Sequence, residues 1–404
     1  MRTYPELFRT PEFTPVFLLA ALQVAAQTVA GLGLATLVFR STGSAFLSAL
    51  ALFGPALAQM LGAATLLSAA DRLPPRGALA GIALVFALCT AAQAVPGLPV
   101  GAVFLILLAQ GLVGSVGGGV RYGLLGEILP REGHLLGRSV LNMAAGVCQI
   151  GGFATGGVLV ATVSPRGALL IGAALHLVAA VLARCGLSPR VPRATGRASV
   201  AETWRTNALL WSDRVRRGVY IALWVPNGLI VGCESLFVPY APERAGLLFA
   251  CAALGMLAGD TVVGRFAPRG RSRRRRLAVA LQALLAAPYL LFALRPGLPI
   301  AIVAVTVSAV GYGASLLHQE RLMELVPDGL SGHALGLHTS GMLALQGLSA
   351  ALAGAVAQLT SPATAMTLLA AASLAVTAGL VVTQGPSRSS GPRPSPRRDL
   401  PRAA

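Results

Sequence analysis

No lysine occurs in this 404-residue chain; all 32 of its basic residues are arginine. That absence removes the phosphate-gripping lysine of a nucleotide-binding loop and any lysine that could form a Schiff base. It speaks against ATP-driven work by this chain and against lysine-based covalent catalysis. Acidic residues are scarce, 14 in all, and none pair at catalytic spacing with a nucleophile or with each other inside an apolar run, so no enzyme and no cofactor is expected. No cysteine pair stands at CxxC spacing. Cys89, Cys148, Cys185, Cys233 and Cys251 are scattered through apolar stretches and read as small buried hydrophobes. The N-terminus has no short apolar core with a cleavage site, only Glu6 and Glu12 beside Arg2 and Arg9, so no cleaved signal peptide is expected.

What is present is apolar. Charged residues make up 11% of the chain, against about 25% in an ordinary soluble domain, and the mean hydropathy is +0.72. Apolar segments recur at about 14–39, 45–70, 77–95, 100–119, 136–163 and 168–183, then at 218–240, 245–263, 277–294, 300–317, 334–359 and 363–382. Each is near the roughly 20 residues a helix needs to cross hydrocarbon. The fold class is therefore an all-α polytopic membrane protein of twelve helices in two six-helix bundles. Residues 1–13 form a short N-terminal segment, 14–186 the first bundle, 187–217 a linker, 218–384 the second bundle and 385–404 a disordered tail of Pro, Ser and Arg.

Of the loops on one side, only Arg40, Arg166, Arg244 and Arg295 carry basic charge; the other side, with both termini, holds the remaining arginines. By the positive-inside rule that side is cytoplasmic, which places the chain in the cytoplasmic membrane. The run "APRGRSRRRRLAV" from Ala267 then falls in the loop after segment 8, where it reads as a topology signal drawn to anionic lipid and not as a nucleic-acid grip. The halves also repeat: "YGLLGEILPREG" after segment 4 aligns with "HQERLMELVPDG" after segment 10, setting Glu127 on Glu324. More loosely, Asp71, Arg72 and Arg76 after segment 2 match Asp260 and Arg265 after segment 8.

At these residues the chain resembles the major facilitator superfamily. The run Thr42 to Leu79 is similar to that family's second helix, its Asp-Arg loop motif and the start of its third helix, while Thr42-Gly-Ser and "LFRTPEF" at Leu7 resemble the drug-exporter branch that includes macrolide efflux proteins and the enterobactin exporter. The loop lacks the usual glycine and second basic residue, segment 5 has no Gly-Pro pair, and segment 1 has no carboxylate. The resemblance implies a proton-coupled exporter of amphipathic small molecules such as antibiotics or secondary metabolites, working as a monomer by alternating access. An importer of the same fold, or a membrane receptor or assembly component that no longer transports, are the alternatives.

Such a fold is expected to line its cavity with segments 1, 4, 7 and 10. Polar residues at helical spacing there are Gln23 and Gln27; Gln110 and Arg121; Trp224, Asn227 and Glu234; and Tyr312 and Gln319. With so few charges, that cavity suits a neutral or weakly cationic organic molecule better than a sugar phosphate. A carboxylate inside a span costs at least a few kcal/mol unless it faces water, is paired or is protonated. Glu234 is thus a candidate proton-coupling or cation-binding group, or else a cap on its helix end. Arg121 reads as a proton-relay partner or as an anchor or lock at the cytoplasmic end. Asp71, Arg72, Arg76, Asp260, Arg265, Glu127 and Glu324 form the expected gating set. His176 reads as a hydrogen-bonded packing residue, and His318, His333 and His338 flank the link between segments 10 and 11 without carboxylates or cysteines at ligand spacing, so no metal is expected.

If Arg72 locks the cytoplasmic ends together, Arg72→Ala slows turnover while leaving topology intact. Transport at the wild-type rate in reconstituted vesicles would remove the lock.

Overall fold

A computed structural model describes residues 4–66, 73–192, 200–268, 270–327 and 330–383. Among them twelve helices are long and apolar enough to cross a membrane. These are α1 Phe13–Thr42, α2 Ala45–Leu66, α3 Pro75–Gln93, α4 Val100–Ile128, α5 Arg131–Thr162 and α6 Pro165–Gly186, followed by α7 Arg214–Tyr240, α8 Ala245–Phe266, α9 Arg271–Leu294, α10 Leu298–Leu325, α11 Ser331–Leu359 and α12 Pro362–Thr383. Asp71, Arg72 and the tail 385–404 lie outside the described residues.

The chain marks its own helix ends. Pro75 and Pro165 open α3 and α6 at a position where no N–H is needed. The Ser164 hydroxyl accepts from the Gly167 N–H at 2.9 Å, and the Asp213 carboxylate accepts from the Arg216 N–H at 2.7 Å. Gly43, at φ 65°, closes α1 by donating its N–H to the Phe39 carbonyl. Two features depart from the sequence expectation. The arginine block is the first turns of α9, which begins at Arg271 and not near Leu277, and the linker contains a helix, Val200–Ser212. That helix docks on the second bundle through fully buried Leu210 and through Trp211, stacked on Trp224 at 5.4 Å.

Helices α1 to α6 pack as one bundle, with α1 against α5 and α6, α3 against α6 and α2 against α4. Helices α7 to α12 form the second, with α7 against α11 and α12 and α8 against α10. The bundles meet along α2 with α11 and α5 with α8. At the arginine-poor face they share one core, in which Leu34, Val38 and Phe153 join Leu236, Phe237 and Phe249. Glycine permits the closeness: a Cβ on Gly157 would lie 2.5 Å from the Gly246 Cα, and one on Gly354 would lie 2.7 Å from the Phe46 Cα. Phe153 stacks on Phe249 at 4.4 Å, and Ser44 Oγ donates to Gln358 Oε1 at 3.0 Å. Toward the basic face the cores are separate, one around Leu19 and Leu124 in the first bundle and one around Tyr220 and Leu322 in the second. There a Cβ on Gly146 or Gly151 of α5 would meet nothing within 4 Å. The halves are joined at the arginine-poor face and stand apart toward the basic one.

The second bundle carries breaks that α1, α3 and α4 lack. Helix α7 contains Pro226 and is interrupted after Glu234; α9 tightens to a 3-10 helix over Ala287–Leu294; α10 does so over Gly311–Gly313. Proline at 226 leaves the Ala222 carbonyl without its usual N–H. In hydrocarbon an orphan carbonyl is costly, and Gln282 of α9 supplies the donor, its Nε2 standing 2.8 Å from Ala222 O. The Ser308 hydroxyl of α10 likewise donates to the Leu285 carbonyl just before the α9 transition.

Gln282→Leu should therefore lower stability by about 1–2 kcal/mol. In a Pro226→Ala background, where the helix satisfies its own carbonyl, the same substitution should cost little. Equal losses in both backgrounds, followed by thermal unfolding in detergent, would show that Gln282 acts elsewhere.

Candidate functional site

The breaks of α7, α9 and α10 converge on Glu234. It ends the first part of α7, where Ser235 Oγ donates to the Gly232 carbonyl at 2.6 Å and turns the chain. Tyr312, held in the 3-10 turn of α10 between two buried glycines, donates its hydroxyl to Glu234 Oε1 at 2.9 Å. Fully buried Tyr289, from the 3-10 part of α9, lies within electrostatic reach. From Ile230 to Val238 every residue is buried except Glu234, which is half-buried. A carboxylate that alone keeps surface in such a run adjoins open space, and one neutral donor leaves it most of its capacity to accept.

The polar stripes expected along α1, α4, α7 and α10 divide between two environments. Gln23 and Gln27 of α1 keep surface, Gln27 being the one exposed residue between Leu19 and Phe39. Gln23 Oε1 accepts from Arg121 Nη1 at 3.3 Å. Gln110 instead turns to α3, bonded to Gln93 at 3.2 Å and Thr90 at 3.1 Å, and is buried. Trp224 is buried against α11: its indole N–H donates to the His338 carbonyl at 3.1 Å, and a Cβ on Gly341 would strike its ring. Asn227 is buried with Gln346 of α11 at 3.4 Å. Gln319 stands 3.4 Å from His338 Nε2. In the second bundle these groups are therefore cross-helix fasteners, apart from Glu234 and Tyr312.

The remaining histidines are also placed. His176 packs on Phe86 at 5.2 Å with its buried Nδ1 unbonded, where a hydrogen bond was expected. His318 faces a small void with Asn227, Gln282 and Ser315. His333 Nε2 lies 2.8 Å from Asn207 Oδ1 of the linker helix. No group of metal-holding side chains occurs among the described residues.

At the basic face the ion pairs among the described residues stay within one bundle. Arg190, after α6, pairs with Glu12 at 2.6 Å and with Glu127 at 3.3 Å. Glu324 at the end of α10 takes Arg321 at 2.7 Å and Arg271 at 3.6 Å, and Arg274 pairs with Glu320. Arg76 Nε donates to the Arg184 carbonyl at 2.7 Å. The sequence grouped Asp260 with a loop, but it lies inside α8, six residues before that helix ends at Phe266, and Arg265 is in its last turn. The partners that sequence reading missed, Tyr289, Gln282, Gln346 and Arg190, are each single polar residues, recognisable only once the neighbouring helix is known.

A sequence profile described as Major Facilitator Superfamily matches residues 16–314. No curated protein sequence matches the chain. Solved structures share its fold. A peptide transporter POT in complex with sulfate has a TM-score of 0.71 at 12% identity, covering 95% of this chain and 98% of that one. The nucleoside transporter NupG gives 0.67 at 15% identity, covering 92% and 98%. A bacterial homolog of the human lysosomal transporter Spinster, in an inward-facing and unoccupied conformation, gives 0.67 at 13% identity, covering 94% and 96%. At these identities the likeness is one of fold.

The Glu12 pair has a pH signature. Burial would raise the Glu12 carboxyl, but hydrogen bonds from Arg190 and Ser188 outweigh it and hold the group below the ordinary glutamate value of 4.5. Its folded pKa being depressed, the pair's contribution is complete above that ordinary value and is lost as pH falls through the folded one. Arg190→Ala should cost about 0.5–1 kcal/mol at neutral pH, and the gap from wild type should close below about pH 4. A gap that persists in acid would assign Arg190 a packing role.

Proposed function

Because the chain belongs to the major facilitator superfamily, we propose that it is a secondary active transporter of the cytoplasmic membrane that exports amphipathic small molecules in exchange for protons. The observation that carries the proposal is Glu234, a half-buried carboxylate where the broken helices of one bundle meet, in a fold whose bundles join at one face only. Intramembrane carboxylates are expensive to keep and mark ion pathways in transporters. A group that gains a proton from one side and loses it to the other couples cargo movement to the proton gradient. Tyr312 is the neutral donor that steadies the carboxylate as its occupancy changes.

Orientation follows from charge: the arginine-rich face, with both termini, is cytoplasmic, so this conformation is closed to the outside. The arginines at the start of α9 then lie where anionic lipid headgroups sit. Alternating access requires the shared core around Phe153 and Phe249 to part while the basic ends close. Outward direction rests on the likeness of Thr42-Gly-Ser and "LFRTPEF" to the drug-exporter branch. Asp71, Arg72 and Arg76 would then serve as the loop lock, with Glu127 and Glu324 organising the basic ends of each bundle.

Cells lacking their own efflux pumps should accumulate less of one or more dyes or antibiotics when they carry this protein. That difference should fall at least about tenfold with a protonophore or with Glu234→Gln. Full proton-dependent export by Glu234→Gln would end the coupling role; raised accumulation in wild type would instead establish import.

A further inference from the structure

Arg121 is the basic counterpart of Glu234, and its surroundings are unusual. It stands on α4 seven residues before the helix ends at Ile128, about 10 Å inside the basic end at 1.5 Å per residue. Arginine at such a depth normally finds a carboxylate or a row of carbonyls. Here its side-chain hydrogen-bond partner is the neutral amide of Gln23, and no carboxylate pairs with it among the described residues. Glu127, at the end of the same helix, pairs with Arg190 at 3.3 Å, and the deeper acidic groups Glu234 and Asp260 belong to the other bundle. A guanidinium carries five N–H donors, and Gln23 occupies one of them.

The space beside it is also open. A Cβ on Gly118, one turn deeper on α4, would meet nothing within 4 Å. On α1, Gln27 lies one turn beyond Gln23 and is exposed in the middle of the span. Arg121, Gln23 and Gln27 thus form a polar line running inward from the basic mouth, with one fixed positive charge at its outer end.

We infer that the cargo carries a single carboxylate, which docks on Arg121 as a two-pronged ion pair, with the amides of Gln23 and Gln27 as neutral donors. Arginine's planar fork matches a carboxylate. One cation with two neutral donors balances a monoanion and leaves a phosphate dianion undercompensated. The apolar remainder of the cargo lies beside Gly118, where α4 leaves space, since Gly111, Gly114 and Gly117 are packed on α2 and α3. This deepens the transport reading and rests on it, narrowing the cargo to amphipathic monocarboxylates in place of the neutral or weakly cationic molecule that the scarcity of charge suggested.

The test uses the purified full-length protein and sets of probes sharing one aromatic, steroid or alkyl skeleton, each made as carboxylate, carboxamide and amine; 2-naphthylacetate with its amide and amine is one such set. Binding is measured by calorimetry, and proton-driven flux in vesicles of zwitterionic lipid. For the skeletons that bind, the carboxylate should be tighter than the amide by roughly 10- to 100-fold. Arg121→Gln should abolish that preference, and Arg121→Lys, which keeps the charge and guards against misfolding, should retain part of it. Amides or amines that bind and are carried as well as carboxylates would overturn the inference while leaving transport standing. So would a preference that survives in Arg121→Gln, or no carboxylate bound while dyes are still exported. Absence of all binding and all flux would overturn both.

Discussion

Hydrocarbon offers no hydrogen bonds, and that constraint governs this molecule at every level. It makes each crossing a helix, so that the backbone satisfies itself. It also makes each departure from the helix conspicuous, because the freed carbonyl must be met by a named donor. Gln282 meets Ala222, Ser308 meets Leu285 and Ser235 meets Gly232. These repairs cluster in α7, α9 and α10, where Glu234 and Tyr312 are found. The second bundle has accepted irregular backbone around its carboxylate, while in the first α1 and α4 run unbroken past its arginine.

This division gives the two bundles different characters. In the second, polar side chains tie helix to helix: Trp224 to His338, Asn227 to Gln346, Gln319 to His338. The linker helix is fastened to the same bundle by Arg216, whose guanidinium donates to the carbonyls of Leu209, Leu210 and Leu325. Contacts between bundles are mostly of another kind, made by glycine, small residues and stacked rings at the arginine-poor face, with one exposed hydrogen bond, Ser44 to Gln358, across them. Buried hydrogen bonds thus hold each body together, and surfaces that part at little cost hold one body to the other.

The twelve spans, the six-plus-six repeat and the charge asymmetry were legible in the sequence because each is a property of composition summed over many residues. The start of α9 was not: six residues rich in arginine score as loop by hydropathy, yet arginine is a good helix former and Glu320 and Glu324 stand ready to pair with it. The linker helix was hidden because its apolar stripe is short and is completed only by Tyr220 and Trp224 of another helix. For the candidate site, periodicity placed Glu234, Tyr312, Gln23 and Arg121 on the expected helices. It could not tell that Gln110 turns to α3 or that Trp224 and Asn227 turn to α11, because a stripe of polar residues looks alike whether it meets water or a neighbour's amide.

The backbone contact at Gly157 and Gly246 lies near one end of two long helices, α5 and α8. Placed there, it is a latch at the end of a long arm. For bodies about 30 Å tall, a relative turn of about 10° carries their ends past one another by about 5 Å, enough to undo a contact made by bare backbone. Leverage of this kind would let a contact no wider than a missing methyl group govern a passage the size of a small organic molecule.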